Sequence, residues 1–387
     1  MKNKNVLSIG LFALTLSLVG CGSKTTPPHE HTWSDPTYTW SNDYSSCAAR
    51  RVCNNDPSHI QTETAASTYV VVTEPTEETE GLGRYTATFV NEAFEVQTQD
   101  VSIEKIMYYG QYPKISGDGR TITYGLYPQT NVDDSSLVSA LNDLTTPESN
   151  GWYLYNNEYY AKLSAKPNSS TYKFDNGTTI VNGTTYWFKC EPIVWNVLSN
   201  NSGEYYILSS VLLDAHCYYT NTSDRTISGS TVYANNYQYS DIRAWLNNDF
   251  YNSAFALGNS HIQTTTIDNS ASTTESSSNP YACNNTQDKV FLPSYKDYIN
   301  SSYGFSTSAD SSDTARHCRT TDYARANGAY YYTSSGYYQY NGYYWTRSPF
   351  SDFSGGAWYV RVDGLLDFNE VNITSYSVRP GISIRIA

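Results

Sequence analysis

Cations are scarce in this chain: 24 lysines and arginines stand against 37 aspartates and glutamates in 387 residues, a formal net charge of −13. Apart from Arg50-Arg51 there is no basic run. Nucleic-acid binding, which needs cations to neutralise phosphates, is therefore disfavoured. Beyond the first two dozen residues no apolar run reaches the ~20 residues that span a bilayer. Cys-x-x-Cys, Gly-x-Ser-x-Gly, His-Glu-x-x-His and phosphate-loop patterns are all missing. Thioredoxin-like redox, elbow-type hydrolase, zinc-protease and nucleotide chemistry thus lack their usual signatures.

Tyrosine is what the chain has instead: 38 copies, more than all lysines and arginines together. A tyrosine offers a large rigid ring, a polar tip and few rotors to freeze, which suits extracellular recognition surfaces. The same residue also builds strands, so its abundance fits a β-rich fold equally well.

The first residues read as an export signal. Lys2 and Lys4 precede an uncharged, mostly apolar stretch from Val6 to Val19. Such a stretch is too short for a transmembrane helix and long enough for a secretory h-region. It ends in Leu18-Val19-Gly20-Cys21, which resembles a bacterial lipobox. That resemblance implies cleavage after residue 20 and lipidation of Cys21, with a location on the extracytoplasmic face of the membrane or the cell surface. Two or more acyl chains anchor stably because each buried methylene contributes ~0.8 kcal/mol. Removing residues 1–20 would take away two lysines and no acid, making the exported chain more acidic still.

Six cysteines remain after Cys21: Cys47, Cys53, Cys190, Cys217, Cys283 and Cys318. An even number in an exported chain permits disulfides, and the last four leave every pairing open. Residues 21–30 form a polar, proline-containing tether. A small β-rich module is expected over 31–103, from Trp33, Trp40, Tyr69-Val-Val-Val72 and the alternating Tyr85-Thr-Ala-Thr-Phe89. The large domain is expected over 104–387. Leu137, Leu141 and Leu144, preceded by the possible caps Ser135 and Ser136, predict one helix. Ser240 followed by Ile242, Trp245, Leu246 and Phe250 predicts a second. Alternation predicts strands around Ile193-Val-Trp195, Glu204–Leu208, Trp358–Val362 and Val378–Ile386. Tyr109-Gly-Gln-Tyr-Pro113 and Tyr124-Gly-Leu-Tyr-Pro128 have the look of strand ends with turns. Residues 268–285, poor in apolar side chains, predict a long surface loop. Together these make a loop-rich α+β fold with a small, mostly antiparallel sheet and two helices.

The large domain also resembles a domain of unknown function common in bacterial surface lipoproteins. The stretches that carry the likeness are Tyr124-Gly-Leu-Tyr-Pro-Gln-Thr130, Phe188-Lys-Cys-Glu-Pro-Ile-Val-Trp195, Val232-Tyr-Ala-Asn-Asn236, Ser240-Asp-Ile-Arg-Ala-Trp-Leu-Asn247, Asp288-Lys-Val-Phe-Leu292, Thr321-Asp-Tyr-Ala324, Tyr344-Trp-Thr-Arg-Ser-Pro349 and Val378-Arg-Pro-Gly381. The family resembles the C-type-lectin-like fold, in the branch of formylglycine-generating enzymes and retroelement-diversified variable proteins. The small module resembles a repeat of bacterial surface proteins through His31-Thr-Trp33, Tyr38-Thr-Trp40, Cys47, Arg51-Val-Cys53, Ser58-His59 and Tyr85–Phe89. Fold does not fix function, and the residues limit what the likeness can imply. No cysteine follows Cys318, so the late thiol pair of the formylglycine enzymes is missing. The Glu-Pro-Asn and Trp-Asn-Asp triplets of calcium-dependent lectins are also absent. What remains is a displayed, non-catalytic surface for an extracellular protein or glycan. An envelope enzyme with an unrecognised site and a passive structural protein are the rivals.

Two groups of candidate site residues follow. His31, Cys47, Cys53 and His59 could bind zinc, with a Cys47–Cys53 disulfide as the alternative and no other cofactor expected. Phe350, Phe353, Tyr359, Leu365, Leu366, Asp367, Phe368, Asn369 and Tyr376 lie in or beside turns near the C-terminus. In the variable proteins the matching segment carries binding, and the resemblance implies the same here. Arg347 is expected to pair with a buried carboxylate. Asp313, His317 and Ser348 have the residue types of a triad, with nothing in the sequence to assemble them.

Overall fold

The computed structural model describes residues 30–386. The expected signal peptide, residues 1–20, the lipidation site Cys21 and all of the tether but its last residue lie outside the described residues. Among the described residues no helix is long and apolar enough to cross a membrane. The chain divides into two compact units between Ile106 and Met107.

The first unit is an antiparallel meander of β1 (Thr37–Trp40), β2 (Ser46–Val52), β3 (Ile60–Thr73), β4 (Gly81–Ala87) and β5 (Gln97–Ile103). Strand β3 is long enough to serve two partners: Ile60–Ala66 pairs with β2 and Ser67–Thr73 with β4. Alternation along β2 buries Cys47 and Ala49, which pack with Ala65, Ala87, Phe89 and Phe94. Three of those six are alanines, so the unit buries little apolar mass, and Tyr69, Val70, Val71 and Val72 stay exposed. Sheets this small generally need a staple.

An extended strand rises ~3.3 Å per residue, which sets Cys47 and Cys53 roughly 20 Å apart. A disulfide requires Cα atoms within about 7 Å. Cys47 is accordingly a free, fully buried thiol of the core, and neither the expected disulfide nor its place in a metal set is formed. Cys190, Cys217, Cys283 and Cys318 are also unbridged.

The second unit is an α+β arrangement weighted towards strand. It runs β6 (Lys114–Ile115), β7 (Thr121–Asn131), α1 (Ser135–Asn142), β8 (Tyr153–Tyr155), β9 (Glu158–Ser164), β10 (Thr185–Asn201), β11 (Glu204–Ser209), β12 (Asp214–Ala215) and the hairpin β13 (Arg225–Ile227)–β14 (Ser230–Val232). Then come α2 (Asp241–Trp245), a π turn (Leu246–Phe250), α3 (Tyr251–Ala254), β15 (Thr265–Ile267), β16 (Thr286–Asp288), β17 (Val290–Phe291), α4 (Tyr295–Tyr298), α5 (Asp322–Ala326), β18 (Tyr344–Pro349), β19 (Gly356–Val360), β20 (Leu366–Glu370), β21 (Ser377–Val378) and β22 (Gly381–Arg385). One sheet has the order β17-β22-β11-β10-β7-β6, with β9 paired to the Thr185–Lys189 end of β10 and β8 paired to β9. The other is β12-β21-β18-β19-β20. Among the described strands every pairing is antiparallel except β18 with β21, and an isolated bridge joins Leu212 to Thr320 in parallel.

The core forms where Ile122, Ile193, Trp195, Ile207 and Ile382 of the large sheet meet Ile242, Leu246 and Phe250 of the helical segment and Trp345 and Val378 of the second sheet. The stripe read from the sequence is thus the buried face of α2 and its continuation. Ser240 caps that helix, its hydroxyl accepting from the Arg243 amide. At α1 the cap is Asp134, not Ser135 or Ser136: its carboxylate accepts from the Ser136 and Leu137 amides. Tyr124-Gly-Leu-Tyr-Pro128 lies inside β7 instead of at its end. Gly125 takes φ +76°, and a Cβ there would meet Phe255 at 2.6 Å. Glycine permits that backbone at a close approach.

Candidate functional site

In the first unit three of the four expected metal ligands converge. Trp33 bridges Cys53, the Asn54 amide donates to Thr32 O at 2.7 Å, and the Cys53 amide donates to His59 O at 3.0 Å. These bonds tie the segment before β1 to the β2–β3 turn. One ligand atom each from His31, Cys53 and His59 then lies within 4.8 Å of the others, with Cys53 buried and both histidines exposed. The two imidazoles meet edge to face at 4.9 Å, and His31 stacks on Trp33 at 5.2 Å.

In the second unit the expected ligand surface divides in two. Strand β20 pairs with β19 so that Trp358 faces Phe368 and Tyr359 faces Asp367. Period-2 alternation sends Phe368, Trp358, Leu366 and Val360 to one face and Tyr359, Asp367 and Asn369 to the other. On the first face Leu366 is only 5% exposed, packed near Leu208, Tyr298, Tyr344 and Val360. That face opens towards the Gly356 end of the hairpin. There Phe350 stacks on Phe368 at 3.6 Å and 4°, and Trp358 meets Phe350 at 5.6 Å and Tyr295 at 4.7 Å. Phe368 is 44% exposed and Phe353 43%. On the opposite face Tyr359 and Tyr376 are buried, their rings 4.5 Å apart. Tyr359 donates to Asp367 at 3.3 Å, and Asn369 donates to the Tyr376 hydroxyl at 2.7 Å.

Tyr359, Leu366 and Tyr376, expected at exposed positions, are therefore core residues. Strand alternation turns each of the first two towards a covered face, and Tyr376 packs on Trp345. Leu365 is half-buried in the turn at the opposite end of the hairpin. Phe350, Phe353 and Phe368 alone are brought together at the open end.

Side chains that the sequence did not single out hold this patch in place. The Asn235 amide group donates to the carbonyls of Phe350, Phe353 and Gly356, the last at 2.9 Å. Asn279 donates to Pro349 O at 2.9 Å, and a Glu275 oxygen accepts from the Ser351 amide at 2.6 Å. Loop 268–285 is thus pinned against the 349–356 turn, long as it is. The second Glu275 oxygen and the Trp358 indole N–H are buried beside the patch and have no protein hydrogen-bond partner among the described residues. Below them Arg347 donates to Asp297 at 2.8 Å and to Leu292 O at 2.9 Å, the buried pairing expected of it.

Residues 202–386 match the family model described as Domain of unknown function (DUF6273). The match starts in the β10–β11 turn, so the motif stretches at 124–130 and 188–195 fall outside it and the other six inside. No curated protein and no solved structure gave a match.

Other polar groups in the unit are committed elsewhere. Asp313 accepts from Arg316 at 3.0 Å, and the Ser348 hydroxyl donates to Thr273 O at 3.2 Å. His317 packs its ring edge to face against Tyr337 and Tyr338, so the three triad-type residues do not assemble. A hollow of about 590 Å³ is lined by Lys166, Asn168, His216, Cys217 and Asn327. Burial pushes the Cys217 thiol up, away from the thiolate a nucleophile needs. Burial also raises the carboxyl of Asp214, which accepts from Tyr127 and Asn327 at 2.6 Å each.

Proposed function

We propose that the protein is a lipid-anchored surface lipoprotein whose second unit, built in the C-type-lectin-like manner, recognises an extracellular protein or glycan without catalysis. Cys21 would carry the anchor, and the first unit would act as a spacer or adhesion module. The observation that carries this reading is the aromatic patch of Phe350, Phe353, Trp358 and Phe368. It stands on an edge strand and on a turn clamped by Asn235, Asn279 and Glu275. Aromatic rings held on a rigid frame give contact area at little entropic cost. The raised thiol of Cys217 and the dispersal of Asp313, His317 and Ser348 support the non-catalytic part.

The test is an array of glycans and surface proteins probed with the 22–387 fragment. Selective retention of a ligand class, reduced when Glu275 is changed to Gln, is the expected result. Retention of nothing by the folded fragment, or retention indifferent to both Glu275→Gln and Phe368→Ser, would overturn the reading.

A further inference from the structure

We propose that the first unit holds one zinc ion through His31, Cys53 and His59, and that the ion staples the chain before β1 to the β2–β3 turn. The ligands come from two segments, His31 from the chain before β1 and Cys53 and His59 from the β2–β3 turn, and are already gathered by backbone bonds that do not involve their side chains. Tetrahedral zinc with bonds of about 2.0–2.3 Å places its ligand atoms roughly 3.3–3.8 Å apart. From a separation within 4.8 Å, small rotations of the two exposed imidazoles reach that geometry.

The donor set selects the metal. One soft thiolate and two imidazoles suit zinc, whereas calcium and magnesium require oxygen ligands. Asp56 Oδ2 lies 3.7 Å from His59 Nε2. A carboxylate in that position orients a ligating imidazole through its other nitrogen. The remaining coordination position is left for water. Arg51 packs its guanidinium 4.8 Å from the Trp33 ring on which His31 stacks, holding that ring in place. A staple also answers the unit's shortage of core, since half of its buried cluster is alanine. Cys47 belongs to that cluster and is not a ligand.

The experiment is metal analysis of the exported chain after equilibration with zinc and removal of free ion, followed by cobalt substitution. The wild-type chain should retain one equivalent of zinc. Its cobalt form should show a thiolate charge-transfer band of the strength of a single Co–S bond. Cys53→Ser should abolish the band, Cys47→Ala should leave it, and Asp56→Asn should weaken zinc binding by roughly 10–100-fold. A wild-type chain that retains no stoichiometric zinc would overturn the proposal, and so would a cobalt band of two thiolates or of none. These wild-type readings decide the matter even if a variant fails to fold.

Discussion

Leu366 and Phe368 sit two residues apart on the same face of β20, and they should respond very differently to truncation. Leu366 is 5% exposed and surrounded by Leu208, Tyr298, Tyr344 and Val360. Leu366→Ala leaves a cavity among large rings that cannot collapse onto it, and should cost about 3–4 kcal/mol, within the usual range for such sites. Phe368 is 44% exposed, so little more than half of a phenylalanine's ~3 kcal/mol of burial is at stake. Adding a weak stacking term of about 0.5 kcal/mol for Phe350, Phe368→Ser should cost roughly 2 kcal/mol. For a unit of this size each kcal/mol lowers the melting temperature by about 2–4 °C. Thermal melts followed by near-UV circular dichroism should then show a shift about one and a half to two times as large for Leu366→Ala as for Phe368→Ser. Equal shifts would mean that Phe368 plugs the core, and the recognition surface would have to be sought elsewhere.

Gly355→Ala should act on the patch through one side chain, because the new methyl would lie 2.6 Å from the tip of the Phe353 ring and must displace it. Reduced ligand retention with a nearly unchanged melt is expected, and unchanged retention would contradict the role given to Phe353. For Asp214 the sign follows from burial, which raises its folded pKa above the unfolded ~3.9. Its contribution to stability is full below the unfolded value and is lost as pH rises through the folded one. The stability of Asp214→Asn relative to wild type in urea melts should therefore rise as the pH is taken upwards from about 4; parallel pH profiles would refute this. Arg347→Met removes the cation from a part-buried Asp297 carboxylate that keeps the Ser294 amide, and should cost about 3 kcal/mol, the low end for a broken buried pair, read as a lower urea midpoint. Cys21→Ala should abolish incorporation of a fatty-acid analogue, and equal labelling would rule out lipidation there.

Much of the frame was legible because it depends on local rules. The stripe Ile242, Leu246 and Phe250 marks the buried side of a helix, the alternation of Ile193 and Trp195 marks a core strand, and the Ser240 cap follows from its position. Arg347 could be read as internal because a lone arginine among Trp345, Ser348 and Pro349 has no solvent role. The site was legible only as residue types. Alternation says that Leu366 and Phe368 share a face, but not that one end of that face is covered and the other open. It was equally silent on Tyr359 and Tyr376, whose hydroxyls are engaged by Asp367 and Asn369 on the inner side. Asn235, Glu275 and Asn279 act on residues 70 to 121 positions away, and no spacing announces such contacts. Cys47 and Cys53 looked like a pair until the extended strand between them set their separation. His59 reaches Cys53 through the β2–β3 turn, and His31 only because the chain before β1 folds back through Trp33.

The most direct test of the proposed recognition surface compares three forms of the 22–387 fragment against the ligand class that the arrays identify. These are the wild type, Phe353→Ser with Phe368→Ser, and Tyr337→Ser, a control at a tyrosine 69% exposed outside the patch. Titration calorimetry should give wild-type affinity for the Tyr337 variant and at least a tenfold loss, ~1.4 kcal/mol, for the double variant with its fold retained. Equal affinity in all three would contradict the claim that the protein binds through Phe350, Phe353, Trp358 and Phe368.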